Sequence, residues 1–217
     1  MKRLTAIVLL LFLFSASLFA FDSSEINSFD RLAVQHYNRT MDNTATALEI
    51  AAMLTPAVLL SESSDQYLTI GMMYLETQLL TWGTTKLLKT VIDRPRPYMY
   101  HDDYPQAKVD SGDWKNSFPS GHTAMSFAGA SFASYVFWKY NPDSKWRIPV
   151  TAASYSLAII VAALRVAGGS HFMTDVLAGA FIGTAMGIGV PALHTLFADK
   201  DAAVSVSPFG LAFSICY

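Results

Sequence analysis

The sequence predicts an all-α protein: a membrane-embedded helical bundle of about five spans following an N-terminal signal segment. Three observations point there. Apolar residues make up 52% of the chain and charged residues 15%, richer in apolar residues than a typical soluble domain. Five apolar stretches follow one another with mostly short polar links. Those stretches are rich in Ala, Gly, Ser and Thr, small residues that let helix backbones approach closely in lipid. The same composition also suits the interior of a soluble helical bundle.

The elements follow in order. Lys2 and Arg3 precede an apolar run from Leu4 to Phe14, and small residues follow at Ser15, Ala16, Ser17 and Ala20. That is the pattern of a secretory signal peptide, with an uncleaved anchor helix as the rival reading, so residues 1–20 are assigned to a signal peptide or N-terminal anchor. Residues 21–43 form a polar, mixed lead-in. The helical domain covers 44–198, with spans at Thr44–Leu60, Tyr67–Thr85, Thr123–Trp138, Ile148–Leu164 and Val176–Ala198. Glu49 and Glu76 lie inside the first two spans and are expected to face the bundle interior. Residues 86–122 form a long connection rich in Pro, Asp, Tyr and Trp, and long loops in compact domains tend to carry function. Residues 199–217 form a C-terminal tail, in which Val204–Tyr217 alternates weakly and reads as a short strand or a disordered end. At 217 residues the chain suits one domain. A net charge of −2 gives no reason to expect a nucleic-acid partner, and the lone Cys216 cannot form an intrachain disulfide. Oligomeric state is not readable from these features.

Three clusters carry candidate chemistry. In the first, Lys86, Lys89, Arg94 and Arg96 lie close together, with Pro95 and Pro97 stiffening the backbone. Guanidinium forks on a stiff segment suit an anion; alone, the cluster reads as a solvated basic collar. The second is Pro119-Ser120-Gly121-His122, at the start of the third span. Gly121 can adopt backbone angles other residues avoid, the helix start offers N–H groups to an anion, and His122 titrates near neutrality. Ser120 alone reads as an ordinary N-cap. In the third, Arg165 ends the fourth span, and His171 and Asp175 stand four residues apart before the fifth. If the helix reaches back to His171, the two share one face, and the carboxylate can accept a hydrogen bond from one imidazole nitrogen and leave the other unprotonated.

With alternating span directions, all three clusters fall on one side of the membrane. Several cations, two histidines, a carboxylate and a helix N-terminus then converge, which is the composition of a phosphate site with a nucleophile and an acid.

These residues resemble the type 2 phosphatidic acid phosphatase superfamily, which includes lipid phosphatases, bacterial acid phosphatases and vanadium haloperoxidases. The family pattern is Lys, six residues, Arg-Pro; then Pro-Ser-Gly-His; then Ser-Arg, five residues, His, three residues, Asp. The chain has Lys89 to Arg96-Pro97, Pro119 to His122, and Arg165, His171 and Asp175 at matching intervals, with Leu164 where the pattern has Ser. The ordered three-part pattern is far more specific than any one piece. The resemblance implies that His171 attacks phosphorus and becomes phosphohistidine, that Asp175 orients it, and that His122 protonates the leaving oxygen and then activates water. It implies that Lys89, Arg96, Ser120, Gly121 and Arg165 hold the phosphate, with no metal ion or other cofactor.

The reading is therefore a membrane phosphatase acting on a lipid phosphate or polyprenyl diphosphate. The alternatives are a soluble periplasmic acid phosphatase of the same superfamily, a haloperoxidase, or, outside enzymes, a phosphate-binding membrane transporter. Lys2 and Arg3 hold the start of the chain in the cytoplasm, which places the site on the periplasmic face of a bacterial inner membrane. Residues 139–147 then lie inside, where Lys139, Lys145 and Arg147 outnumber Asp143. His36, His101 and His194 match no motif, and His101 with Asp102 and Asp103 reads as an acidic solvated loop.

Overall fold

The computed structural model describes residues 26–61, 66–198, 202–207 and 210–215. The expected signal or anchor segment lies outside the described residues. Seven α-helices are described: α1 (Ser28–Arg31), α2 (Arg39–Met53), α3 (Tyr67–Val91), α4 (Gln106–Asp110), α5 (Gly121–Tyr140), α6 (Arg147–Ala167) and α7 (Met173–Ala198). Five of them are the expected helical stretches. The tail forms an antiparallel hairpin of β1 (Ala202–Ser207) and β2 (Gly210–Ile215), so the chain is helical but not wholly α.

Two boundaries differ from expectation for identifiable reasons. The first stretch does not run as one helix to Leu60. α2 ends at Met53 and the chain continues as a 3₁₀ segment, Thr55–Ser61. Pro56 lacks an N–H and disfavours the α conformation at Thr55. The second runs almost two turns past Thr85, to Val91, because the helix breaker is Pro95 and nothing earlier stops it.

α5 is the central helix and packs against α2, α3, α6 and α7. Its buried residues are mostly Ala, Ser and Gly, with Phe132, Val136 and Phe137 closing the core toward Leu59 and Met73. The α5–α7 approach is close because α7 presents Gly179, Gly183 and Gly187 at four-residue intervals. A Cβ at Gly183 would stand 2.1 Å from the Ala124 carbonyl oxygen, so a side chain there would push the helices apart. α6 and α7 are long and apolar enough to cross a membrane (Arg147–Ala167 and Met173–Leu196).

Inside the bundle, Glu76 of α3 stands 2.7 Å from His194 Nε2 on α7. Glu49 on α2 also faces inward, as expected of an ionisable group among apolar helices.

Candidate active site

Five helix ends meet at one end of the bundle: the start of α2, the end of α3, the start of α5, the end of α6 and the start of α7. The links that follow α3 and α6 close over them. Arg94 and Arg96 pair with the connection's own strand-like stretch, their N–H groups reaching the carbonyls of Lys115 and Trp114. Gly169 turns the chain after α6 with φ +68°; a Cβ there would sit 2.5 Å from the Gln35 carbonyl oxygen, so only glycine fits.

His171 is buried in this turn, 1% exposed. Its Nδ1 donates to the Ser117 carbonyl at 2.7 Å, which leaves Nε2 with its lone pair. Nε2 lies 3.1 Å from the Arg96 guanidinium. Burial first, then the positive fields of Arg96, Arg165 and Lys89, hold the imidazole well below its usual range and keep it neutral.

Asp175 does not accept the Nδ1–H hydrogen bond directly. α7 starts at Met173, so His171 precedes the helix, and the carboxylate stands 3.6 Å from Nδ1. Instead Asp175, fully buried, accepts from Ser117 Oγ at 2.6 Å, from the Phe172 N–H at 2.8 Å and from Arg94. It fixes the Ser117 segment whose carbonyl aligns His171. Arg94 is shared with Asp30, which accepts from it at 2.7 Å and also caps α7 through the Thr174 N–H at 2.9 Å. Burial would raise the Asp30 carboxyl; the Thr174 hydrogen bonds and Arg94 outweigh it and hold it below the usual carboxylate range.

The other expected site residues converge here. Arg96 donates to the Ser170 carbonyl at 2.8 Å and to the Asp113 carboxylate at 2.7 Å. Burial alone would raise the Asp113 carboxyl, but Arg96 and Lys108 hold it low. Lys89 Nζ donates to the Asn116 carbonyl and lies within electrostatic reach of Arg96 and Arg165. Arg165, 2% exposed, pairs with Asp42 through one terminal nitrogen. Its Nε is buried and finds no acceptor among the described residues, and an unsatisfied buried donor costs about 1–3 kcal/mol. An oxyanion at this point would satisfy it. Ser120 is the N-cap of α5, accepting from the Thr123 N–H, with its own N–H on the Asp175 carbonyl at 3.0 Å. Gly121 does not adopt an unusual backbone angle, since only Gly112 and Gly169 have positive φ among the described residues. It leaves space instead: a Cβ there would meet no atom within 4 Å.

His122 opens α5 with Nε2 3.1 Å from Thr46 Oγ1 and 3.4 Å from the Glu49 carboxylate. Sequence reasoning missed the partners: Asp30, Asp42, Thr46, Lys108, Asp113, Ser117 and Ser170. Asp42 gathers several of them, accepting from Arg165, from Ser170 Oγ at 2.6 Å and from Tyr37 at 3.0 Å, with Lys108 Nζ at 3.1 Å. One signal for it was present in the sequence. Asp42, Thr46 and Glu49 recur at i, i+4 and i+7, so they lie along one face of the helix. His36 and His101 stack at 3.7 Å beside Asp103, and among the described residues no three ligating side chains converge to hold a metal ion.

The family model described as PAP2 superfamily matches residues 67–198, more than half of the chain. A probable lipid phosphate phosphatase 4 from Arabidopsis thaliana is 33% identical over 126 residues, covering 48% of this chain and 41% of that protein. A lipid A 1-phosphatase from Porphyromonas gingivalis is 36% identical over 76 residues, 35% of this chain and 16% of that one. The matched region thus spans less than half the length of these curated relatives. Among solved structures, a transmembrane PAP2-type phosphatidylglycerolphosphate phosphatase from Bacillus subtilis is similar in fold, with a TM-score of 0.52 and 21% identity over 90% of this chain and 98% of that one.

Proposed function

Because the chain belongs to the PAP2 superfamily, we propose that it is a metal-independent phosphatase of a membrane lipid that works through a phosphohistidine. The observation that carries this reading is His171. Its Nδ1 proton is committed to the Ser117 carbonyl, so a neutral Nε2 lone pair faces a cluster of buried cations.

The reaction proceeds in two steps. His171 Nε2 attacks phosphorus, and the bond to the leaving oxygen breaks as His122 supplies that oxygen with a proton. Water, deprotonated by His122, then attacks the phosphohistidine and returns His171. Lys89, Arg96 and Arg165 hold the phosphate oxygens, with Ser120 and the Gly121 amide at the start of α5. The Arg165 Nε that lacks an acceptor supports its place in this set. Phosphoryl transfer depends chiefly on positioning and charge stabilisation, which such a cradle supplies. Asp175 acts on His171 through Ser117.

The substrate is a phospholipid or polyprenyl diphosphate that reaches the site from the membrane. Large exposed apolar side chains support this: Leu68, Met72, Leu75, Leu79 and Trp82 form a stripe on α3, and Ile159, Ile160, Leu177 and Phe181 are exposed on α6 and α7. Five passes are consistent with element lengths. α3, α5, α6 and α7 have at least 20 residues each, or about 30 Å of helix, enough for the hydrocarbon core. α2 has 15 residues, about 22 Å, and the seven-residue 3₁₀ segment extends it by about 14 Å. At the end away from the site, Trp138, Tyr140 and Trp146 are exposed beside Lys139, Lys145 and Arg147, an interfacial aromatic and basic collar suited to a cytoplasmic face. The site then faces the periplasm of a bacterial inner membrane, with residues 1–20 as signal or anchor and 44–198 as the phosphatase domain.

The test is phosphate release from phosphatidate, phosphatidylglycerophosphate, undecaprenyl diphosphate and lipid A, together with trapping of an acid-labile phosphoenzyme. We expect release from at least one and a phosphoenzyme that His171→Ala eliminates. A fully folded His171→Ala protein that retained more than a few per cent of turnover would overturn the mechanism.

A further inference from the structure

The histidine assigned to leaving-group protonation does not stand alone. His122 Nε2 meets two oxygens, both from α2: Thr46 Oγ1 at 3.1 Å and Glu49 Oε2 at 3.4 Å. Thr46 gives its own proton to the Asp42 carbonyl at 3.1 Å, so it accepts from the imidazole. A Glu49 carboxylate, when ionised, is also an acceptor only. Two acceptors facing one ring nitrogen fix the proton on Nε2 and leave Nδ1 as the nitrogen that exchanges protons. The other charged groups around His122 are Arg165 from α6, Asp42 from α2, and Arg96 and Lys108 from the long connection. Three of these are cations, which oppose a charged imidazolium, and the Asp42 carboxylate counters them; Glu49, 3.4 Å from Nε2, adds a second carboxylate on the face toward the ring.

We propose that Glu49 is a positioning residue for His122, holding its tautomer and stabilising the imidazolium that donates to the leaving group. This rests on the phosphatase reading above. When the substrate's P–O bond breaks, its electron pair goes to the leaving oxygen, the Nδ1 proton of His122 joins that oxygen, and the His171 Nε2 lone pair forms the P–N bond. His122 is then neutral with its proton on Nε2 and a lone pair on Nδ1, ready to take a proton from water in the second step. Glu49 itself neither gives nor takes a proton. This explains why the first span carries a carboxylate seven residues after Asp42, on the same helical face. Glu76, the other carboxylate within a span, has its own partner in His194 and makes no such contact with the site.

The experiment compares wild type, Glu49→Gln, Glu49→Asp and the control Glu76→Gln on two substrates: dioleoyl phosphatidate, whose alkoxide leaves poorly, and p-nitrophenyl phosphate, whose phenolate leaves readily. General acid–base catalysis contributes about 100- to 10,000-fold, and loss of an orienting partner removes a fraction of it. Glu49→Gln, close to isosteric, should lower kcat on phosphatidate about 10- to 100-fold with KM nearly unchanged, and lower kcat on the aryl phosphate by less than about threefold. Glu49→Asp should recover part of the phosphatidate loss. Adding Glu49→Gln to His122→Ala should cost nothing further, since the partner it serves is gone. Glu76→Gln should affect both substrates alike. Equal losses on the two substrates for Glu49→Gln, or a full additional loss in the double variant, would overturn the role of Glu49 while leaving the phosphatase reading intact. A wild-type protein that turns over neither these substrates nor the lipid panel would overturn that reading and this proposal with it.

Discussion

The Asp175–Ser117 arrangement makes a prediction that separates support from chemistry. Asp175 is fully buried and accepts three hydrogen bonds, one from Arg94. Asp175→Asn removes its charge and places an NH₂ group where an acceptor is needed. Breaking a buried ion pair costs about 3–5 kcal/mol. Arg94 keeps Asp30 as a counter-ion, so the lower end applies, about 3 kcal/mol. At about 2–4 °C per kcal/mol for a chain of this size, Tm falls by about 6–12 °C. Ser117→Ala removes one hydrogen bond and leaves the carbonyl that holds His171, so it costs about 1–2 kcal/mol and about 2–8 °C. Below their Tm, both variants should retain measurable phosphate release, because Nδ1 still has its acceptor. The assay is thermal denaturation of detergent-purified protein by circular dichroism, alongside turnover at a temperature where every variant is folded. An Asp175→Asn protein as stable as wild type but inactive would refute the reasoning, since Asp175 would then act on His171 directly.

Turnover should persist in EDTA and fall with vanadate, which adopts the five-coordinate geometry of transferring phosphorus; restoration of an EDTA-inactivated enzyme by magnesium would sink the cationic-cradle mechanism. Single cysteines at Gly112 or Asn141, with Cys216 replaced, report sidedness in intact cells: a membrane-impermeant maleimide should label Gly112→Cys and spare Asn141→Cys. Phosphoenzyme formation should not decline as pH falls through the usual imidazole value of 6.5, because burial and neighbouring cations keep His171 neutral below it. The same shift affects stability. The unfolded chain takes up a proton near pH 6.5 and the folded one does not, so this contribution is complete above pH 6.5 and declines as pH drops. A Tm that rises on acidification from pH 7.5 to 5.5 would contradict it.

The helices were legible because their apolar runs end at strong punctuation: Ser120 before α5, the polar 139–147 link before α6, and Gly168-Gly169 after it. Lys89, Arg96, His122, Arg165, His171 and Asp175 were legible because a spaced motif places them at adjacent helix ends. The companions of these residues were not. Asp42 meets Arg165 across more than a hundred residues, and Asp30 meets Thr174 across a similar gap. No local period encodes such pairings; they exist because α1 and α2 pack over the ends of α6 and α7. The direct His171–Asp175 hydrogen bond was expected from four-residue spacing, which holds only within a helix, and α7 begins two residues after His171.

These distant companions solve a problem that the motif creates. Lys89, Arg94, Arg96 and Arg165 gathered at one bundle end repel one another, and burial removes the water that would screen them. Four carboxylates offset this, at two depths. Asp30 and Asp175 are fully buried, bind Arg94 and also accept backbone N–H groups at the start of α7, so they belong to the framework. Asp42 and Asp113 hold Arg165 and Arg96 from the side of the long connection, where Lys108 lies 3.1 Å from one and 3.6 Å from the other. On the proposed phosphatase reading, an arriving phosphate meets cations that are already held in place by outer carboxylates and need only share them. Its binding exchanges one set of charge-assisted hydrogen bonds for another, while the framework pairs behind it keep Ser117, and through Ser117 His171, in line. That division of labour explains why so many carboxylates crowd a site for an anion. On that reading the cations are kept paired before substrate arrives, and the outer carboxylates do this without entering the chemistry proposed for His171.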